Sequence, residues 1–152
     1  MKRFAFRPQV VLDRARDEEE RLLQQLANVQ IELIKKDREL AWVVDERTAT
    51  LRAMTAAQQQ TFEIEEIQRQ RLHIDALDIR QVQLRDERAL IQQRLDTARE
   101  ALVEGMRKRQ VLEKLRDTHY TAYMKEMEKQ ELQIMEDVKL PRLARERMEG
   151  AM

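Results

Sequence analysis

Few side chains in this sequence could perform acid–base or metal chemistry. His73 and His119 are the two histidines, and neither lies three residues after a glutamate, as the metal-binding Glu-x-x-His pair of helical bundles requires. Asp75 lies two residues after His73, but residues two apart point away from each other on a helix. The sequence therefore predicts structural or solvated histidines and no catalytic or metal site.

The sequence also lacks the residues that nucleotide binding or thiol chemistry would need. The two glycines, Gly105 and Gly150, cannot form a glycine-rich phosphate-binding loop. The chain contains no cysteine, which excludes disulfides and cysteine-based zinc sites. These residues predict a protein that is not an enzyme and that holds no cofactor.

The composition predicts a few long elements. Charged residues make up 38% of the 152 residues and aromatic residues 4%, and there are two glycines and two prolines. Folds with many turns need more of these turn residues. An apolar fraction of 42% is nevertheless enough to fold the chain if the apolar residues lie along one seam, so we do not expect simple disorder.

The 29 basic and 29 acidic side chains cancel, and we interpret them as interleaved along the chain. A nucleic-acid-binding face needs an excess of lysine and arginine, so this pattern favours solvated helix faces and predicts no nucleic acid partner. No apolar run approaches the roughly 20 residues of a membrane span, and the basic start, residues 1–8, lacks the apolar core of a signal peptide. These features predict a cytoplasmic protein.

Two stretches carry apolar residues at alternating spacings of three and four, which is the heptad spacing of a coiled coil. The first seam, interrupted by Glu19, Lys36 and Arg47, consists of Leu12, Ala15, Leu22, Leu26, Val29, Leu33, Leu40 and Val43. The second seam, interrupted by Gln81 and Arg88, consists of Ile74, Leu77, Leu84, Ile91, Leu95, Ala98 and Leu102. Because each helix has only one apolar stripe to bury, the two are predicted to pair in an all-α, antiparallel coiled-coil hairpin.

The turn signals predict a single helical hairpin over residues 1–152. Pro8 fits a first helical turn, threonines from Thr48 onward weaken the helical pattern, and Pro141 is expected to end the second helix near Leu140. The predicted bounds are about 8–55 for helix one, about 56–62 for the turn and about 63–140 for helix two. A flexible C-terminal tail is expected at 141–152.

Helix two is predicted to be the longer helix and to overhang. Folding about residue 58 places Pro8 opposite a position near residue 108 and leaves about 30 residues of helix two without an intramolecular partner. The overhang would present either a surface for partner helices or the seam of a dimer. Its candidate residues are Met106, His119, Tyr120, Tyr123, Met124, Met127 and Met135.

Aromatic residues mark two further candidate sites. Phe4 and Phe6 alternate on a short basic segment, and we expect them either to anchor a protein partner or to pack on the first turn of helix one. Trp42, the only tryptophan, is expected near the turn with Phe62 across the bend. It would be either a binding hot spot at the hairpin tip or the closure of the coiled coil.

The two ends of the sequence resemble the FliJ family, the small coiled-coil component of the bacterial flagellar type III export apparatus. The opening Phe4-Ala5-Phe6-Arg7, followed by Val10-Val11-Leu12-Asp13 and Glu18-Glu19-Glu20, is similar to the family's usual start. Near the other end, the stretch RKRQVLEKLR at residues 107–116 resembles the family's basic segment. The helical pattern and the length agree with the family over nearly all of the chain.

The resemblance implies a mechanical, non-enzymatic central stalk, similar to the γ subunit of rotary ATPases, in flagellum biogenesis. The paired chain ends would enter the ring of the export ATPase, FliI, which would supply ATP and Mg²⁺ itself. On this chain the ring-facing residues would be Phe4, Phe6, Val10, Val11, Leu12, Leu112, Leu115 and Arg116. The hairpin tip would approach the export gate protein, FlhA, through Leu40, Trp42, Val43 and Phe62. Family members are also linked to export chaperones, and these partners would hold the stalk at the inner face of the cell membrane.

Two other functions are open at this point. The equivalent stalk of a virulence-type secretion system would need the same architecture. A self-assembling structural coiled coil is a different class, in which the apolar seam lies between chains and no bend is needed.

Overall fold

The computed structural model describes residues 2–60 and 63–151, and over these residues it contains two α-helices and no strand. Helix α1 is Gln9–Gln58 and helix α2 is Ile64–Gly150. The two helices pack against each other, which confirms the predicted all-α hairpin with a longer second helix. The chain divides into a loop unit, Glu18–Gly105, and a terminal unit, Met1–Asp17 with Met106–Met152.

Helix α1 persists through the threonine-rich stretch that weakens its sequence pattern. The hydroxyls of Thr48, Thr50 and Thr55 each donate a hydrogen bond to the backbone carbonyl four residues earlier. A carbonyl oxygen has two lone pairs, so it can accept from the hydroxyl as well as from the backbone N–H, and each hydroxyl is satisfied without leaving the helix. Helix α1 accordingly continues through these threonines and ends at Gln58.

Helix α2 begins directly after Glu63, whose carbonyl accepts hydrogen bonds from the backbone N–H groups of Glu66 and Ile67. Glu65 and Glu66 lie in the first turn, where the positive end of the helix dipole favours carboxylates. These carboxylates stabilise the start of the helix, and neither glycine nor proline is needed there.

The predicted end of helix α2 at Leu140 and the predicted flexible tail are wrong over the described residues. The helix continues through Pro141 to Gly150. A proline inside a helix costs about 3 kcal/mol, because it removes an N–H and crowds the carbonyl four residues earlier. Here that carbonyl belongs to Asp137 in an exposed stretch, where water can satisfy it, and the following Leu143, Ala144 and Arg145 are strong helix formers.

The core of the loop unit is the seam between α1 and α2. One cluster joins Val29 to Ile91 and Leu95, and a second joins Val43 to Leu77 and Leu84. Gly105 is also buried, and a Cβ atom there would lie 2.8 Å from the Cδ1 atom of Leu22, so glycine allows a close approach at this point. The seam that a self-assembling coiled coil would place between chains is filled within this one.

Three of the charged residues that interrupt the two seams form ion pairs between the helices. Lys36 Nζ lies 2.7 Å from a carboxylate oxygen of Glu87, and Arg47 Nε lies 2.6 Å from one of Asp78. Arg88 pairs with Asp37 in the same way. Each long side chain covers apolar seam atoms with its stem and reaches a carboxylate on the other helix with its head.

The terminal unit is built around Leu12, which is fully buried. Residues 2–6 are not helical and lie along α2, where Lys2, Phe4 and Phe6 contact residues between His119 and Tyr123. From residue 128 to residue 151 every residue is exposed. The overhang therefore consists of this last stretch.

The overhang is shorter than predicted because the fold reverses later in the chain. The midpoint between Gln58 and Ile64 is three residues beyond residue 58, which moves the partner of each α1 residue by about six positions along α2. Arg116 accordingly donates to the side chain of Gln9, and the hydroxyl of Tyr123 donates to the carbonyl of Lys2. His119, Tyr120 and Tyr123 thus belong to the paired part of the terminal unit and not to the overhang.

Among the described residues, neither helix contains a stretch with the length and hydropathy that a membrane span requires.

Truncating one buried seam leucine should destabilise the loop unit. The side chain of Leu84 is 1% exposed, so Leu84→Ala removes buried methyl groups and leaves a cavity between the helices. We expect a loss of about 2–5 kcal/mol in the free energy of unfolding, measured by chemical denaturation followed by circular dichroism. Leu90→Ala, at an exposed site on the same helix, is the matched control and should change this free energy by less than about 1 kcal/mol. Equal losses in the two variants would contradict the seam packing.

Candidate functional site

The N-terminal segment of the terminal unit is held on helix α2 by aromatic contacts. The ring of Phe4 lies 5.1 Å from that of Tyr120 and 5.3 Å from that of Tyr123, measured between centroids. Phe6 packs edge-to-face on His119 at 5.3 Å and is only 7% exposed. Both phenylalanines therefore contact α2.

The residues predicted to face an ATPase ring come together in this unit, but they divide into three sets by burial. Phe6 and Leu12 are buried and support the packing. Val10, Val11 and Leu115 are exposed and can meet a partner. Of the remaining residues, Phe4 and Leu112 are half-buried, and half-buried Arg116 donates its Nε–H to the side chain of Gln9 at 3.1 Å.

One of the exposed residues, Val11, borders a shallow groove of about 600 Å³ between the two helices. Val11 and Ala15 line it from α1, and Val111 and Leu112 line it from α2. Its polar boundary is entirely basic and consists of Arg14, Arg107 and Lys108. The sequence reasoning missed Arg14, Arg107, Lys108 and Val111 as site residues because none of them lies on the apolar seam.

The paired part of the terminal unit is strongly basic. Residues 2–17 and 106–125 contain eleven basic and four acidic side chains, which gives a net charge of +7. The loop unit contains 13 basic and 18 acidic side chains, a net charge of −5. The charges are therefore not evenly interleaved. The net charge of the whole sequence is zero, and the basic surface becomes visible only when the net charge of each unit is counted separately.

The residues predicted at the hairpin tip lie elsewhere in the loop unit. Trp42 lies sixteen residues before Gln58, about 24 Å along the helix, because α1 continues well beyond it. Leu40 and Val43 pack on the cluster of Leu77 and Leu84 and are part of the seam. Phe62 lies outside the described residues.

Trp42 itself is exposed on the side of the helix pair. Its side chain is 62% exposed and borders a groove of about 470 Å³ with Arg38, Glu39 and Arg80. A large aromatic residue with arginines beside it is typical of a protein-binding hot spot. The expected closure of the coiled coil by Trp42 is wrong, since its ring does not lie in the seam.

The histidines lie in different surroundings. His73 Nε2 lies 3.3 Å from a carboxylate oxygen of Glu46, and His119 packs on Phe6. Over residues 2–60 and 63–151 there is no group of three or more histidine, cysteine, aspartate or glutamate side chains that could hold a metal ion.

A comparison with protein families identifies the chain. Residues 4–147 match the family model described as flagellar FliJ protein. The chain belongs to the FliJ family. No curated protein and no solved structure matches the sequence. This FliJ-family chain is therefore a component of the flagellar export apparatus, as the resemblance of its two ends implied.

In this FliJ-family chain, the ion pairs between the helices shift the pKa values of the residues that form them. A hydrogen bond from Lys36 holds the pKa of Glu87 below its ordinary value, and one from Arg94 does the same for Glu32. The pKa of Lys36 is correspondingly raised by Glu87. Each shift favours the charged form, so the paired helices are stabilised while these groups remain ionised.

Removing one aromatic contact should release the N-terminal segment. Phe6→Ala deletes the ring that packs on His119, so the non-helical residues before Gln9 lose their buried anchor. We expect faster trypsin cleavage after Arg3 and Arg7, measured by mass spectrometry of the digest over time. Val10→Ala, at an exposed neighbouring site, should leave both cleavage rates unchanged. Cleavage of Phe6→Ala at the unaltered rate would show that the ring does not hold the segment.

Acid should weaken the helix pair through Glu87. Because its pKa is lower in the folded state than its ordinary value of 4.5, its contribution is complete above that value and is lost as the pH falls through the folded-state pKa. Glu87→Gln should lower the thermal unfolding midpoint at about pH 7 and make the fall between about pH 7 and pH 3 shallower.

The matched control for this titration is Glu100→Gln, which removes an exposed carboxylate on the same helix that forms no ion pair with any described residue. It should leave both the midpoint and its pH dependence close to those of the unaltered protein. An unchanged acid dependence in Glu87→Gln would contradict the role of the Lys36–Glu87 pair.

Proposed function

We propose that this FliJ-family chain is the non-enzymatic stalk of the flagellar type III export apparatus, where it binds and regulates the export ATPase ring and links it to the export gate protein. The observation that carries the proposal is the surface formed by the family's two characteristic segments. In the terminal unit, residues 10–15 and 107–116 combine exposed valine and leucine side chains with a basic boundary.

The ATPase-binding surface consists of Val10, Val11, Val111 and Leu115, with Arg14, Arg107 and Lys108 around them. The apolar side chains provide contact area. The basic side chains would orient an acidic partner surface and raise its association rate. Phe6 and Leu12 support this surface from within, and Phe4 holds the N-terminal segment on α2. Leu112 and Arg116 fix α2 relative to the start of α1.

The gate-binding surface lies in the loop unit and is centred on Trp42. Leu40 and Val43 anchor that part of α1 on α2, so Trp42 is presented from a rigid support. A protein partner that covers Trp42 would bury a large aromatic side chain, which is the kind of contact that dominates binding energy.

The stalk would act in the cytoplasm, held at the inner face of the membrane by its partners. Its exposed apolar residues also offer export chaperones a place to bind. The chain would act mechanically. Binding at one surface would be coupled to binding at the other through the paired helices, while ATP hydrolysis would take place in the ring.

The two surfaces can be separated by mutation. Val11→Asp places a carboxylate on the proposed ATPase-binding surface, whereas Trp42→Ala removes the proposed gate contact. With purified export ATPase, Val11→Asp should raise the dissociation constant by at least about tenfold, and Trp42→Ala should leave it unchanged. Binding to the cytoplasmic part of the export gate protein should show the reverse. Trp42→Ala should raise that dissociation constant, and Val11→Asp should leave it unchanged.

Val82→Asp is the control for adding a charge at an exposed valine, and it should not affect binding to the ATPase. Circular dichroism must show unchanged helix content in every variant. If Val11→Asp and Val82→Asp bind the ATPase equally well, the terminal unit is not the ATPase-binding surface. ATP hydrolysis by the purified chain alone would contradict the non-enzymatic role.

A further inference from the structure

The seam between the helices loses its buried residues before it reaches the turn. On the turn side, the last buried residues of the described chain are Thr50 on α1 and Ile74 on α2. None of the residues 51–60 and 63–72, which lie beyond them, is buried. We call these two stretches the turn-end segment, and all of it belongs to the loop unit.

The residues at the seam positions explain this loss of burial. The heptad spacing of the seam continues toward the turn with Met54 and Ala57 on α1 and with Ile67 and Gln70 on α2. All four side chains are half-buried. Because alanine is small and glutamine is polar, these positions supply less apolar contact than the leucines and valines in the rest of the seam.

The polar contacts between the helices end at the same level. The last of them on the turn side joins Nε2 of His73 to a carboxylate oxygen of Glu46, at 3.3 Å. Within residues 2–60 and 63–151, no hydrogen bond or ion pair between α1 and α2 involves the turn-end segment. The turn-end segment therefore lacks both the buried side chains and the polar contacts that hold the rest of the loop unit together.

Gln70 destabilises the closed arrangement of this segment. Its Oε1 atom is buried and has no hydrogen-bond partner among the described residues. A buried acceptor that has lost its water and gained no donor favours any conformation in which water can reach it. Separation of the two helices at this level would return water to the Oε1 atom.

A groove beside Gln70 marks the boundary between the packed seam and the turn-end segment. It has a volume of about 410 Å³. Ala49 and Ala53 line it from α1, and Gln70 and His73 line it from α2. The small alanine side chains leave space opposite Gln70, so the helices are loosely packed at the point where a separation would begin.

We propose that the turn-end segment opens and closes as a unit while the helix pair beyond Thr50 and Ile74 stays closed, and that Gln70 sets the balance between the two forms. In the open form the two stretches of helix separate. Helical stretches of this length are not stable in water without a packed face, so they also lose backbone hydrogen bonds when they separate.

This opening goes beyond the proposed stalk function. Neither the ATPase-binding surface nor Trp42 lies in the turn-end segment, so the opening is tested without either partner. In the open form the half-buried side chains of Met54 and Ile67 become accessible to a partner. A partner that binds them would shift the equilibrium toward the open form, which makes the segment a conformational switch within the hairpin.

The test is amide hydrogen exchange of the full chain, followed by mass spectrometry and corrected for intrinsic exchange rates. In the unaltered protein, peptides from the turn-end segment should exchange at least about tenfold faster than peptides from residues 84–95. Gln70→Leu should slow exchange in the turn-end segment by at least about fivefold, because it removes the unpaired acceptor and adds apolar contact. Gln68→Leu, the same change at an exposed site two residues away, is the matched control and should slow it by less than about twofold.

A third variant tests whether the segment opens independently of the seam. Ile91→Val removes one buried methyl group, so it should speed exchange in residues 84–95 by at least about twofold and leave the turn-end segment unchanged. Equal acceleration in both regions would overturn the proposal, because the segment would then open only when the whole seam does. So would a turn-end segment that exchanges as slowly as residues 84–95 in the unaltered protein, or equal exchange rates in Gln70→Leu and Gln68→Leu.

Discussion

The structure depends on one constraint, which is that each of the two helices has a single narrow apolar stripe. A helix of 50 or 87 residues with one such stripe gains little by folding alone, so α1 and α2 are stable only where they cover each other. Leu12 in the terminal unit and Leu84 in the loop unit are the most completely buried side chains, and both lie on this seam. Apart from Phe6 and the aromatic residues around it, the described residues outside the seam are largely exposed.

The ion pairs at the seam interruptions give the helix pair its register. Leucines and valines at heptad spacing would pack almost as well after a shift of seven residues, because the pattern repeats. In the observed register Lys36 and Arg47 each reach a carboxylate on α2, whereas a shift of α2 by seven residues would bring an arginine to the same place. The individual pairs are half-exposed and contribute little stability, so their main effect is to disfavour the shifted alignments.

Periodicity was sufficient to predict the helices and their pairing, but it placed the turn three residues too early. That small error exaggerated the overhang and assigned Tyr120 and Tyr123 to it, whereas the N-terminal segment covers them. The end of α2 was wrong because Pro141 is tolerated in an exposed helix. The groove residues Arg14, Arg107 and Val111 lie off the seam, and their proximity depends on the pairing of distant segments, which no local pattern contains.

A neutral chain with separated charge behaves differently from a neutral chain with mixed charge. The basic paired part of the terminal unit attracts acidic surfaces, whereas the loop unit, with a net charge of −5, attracts basic ones. Because the charges around this groove are exposed, added salt screens their attraction for an acidic partner, whereas the contact area of the exposed valines is unaffected.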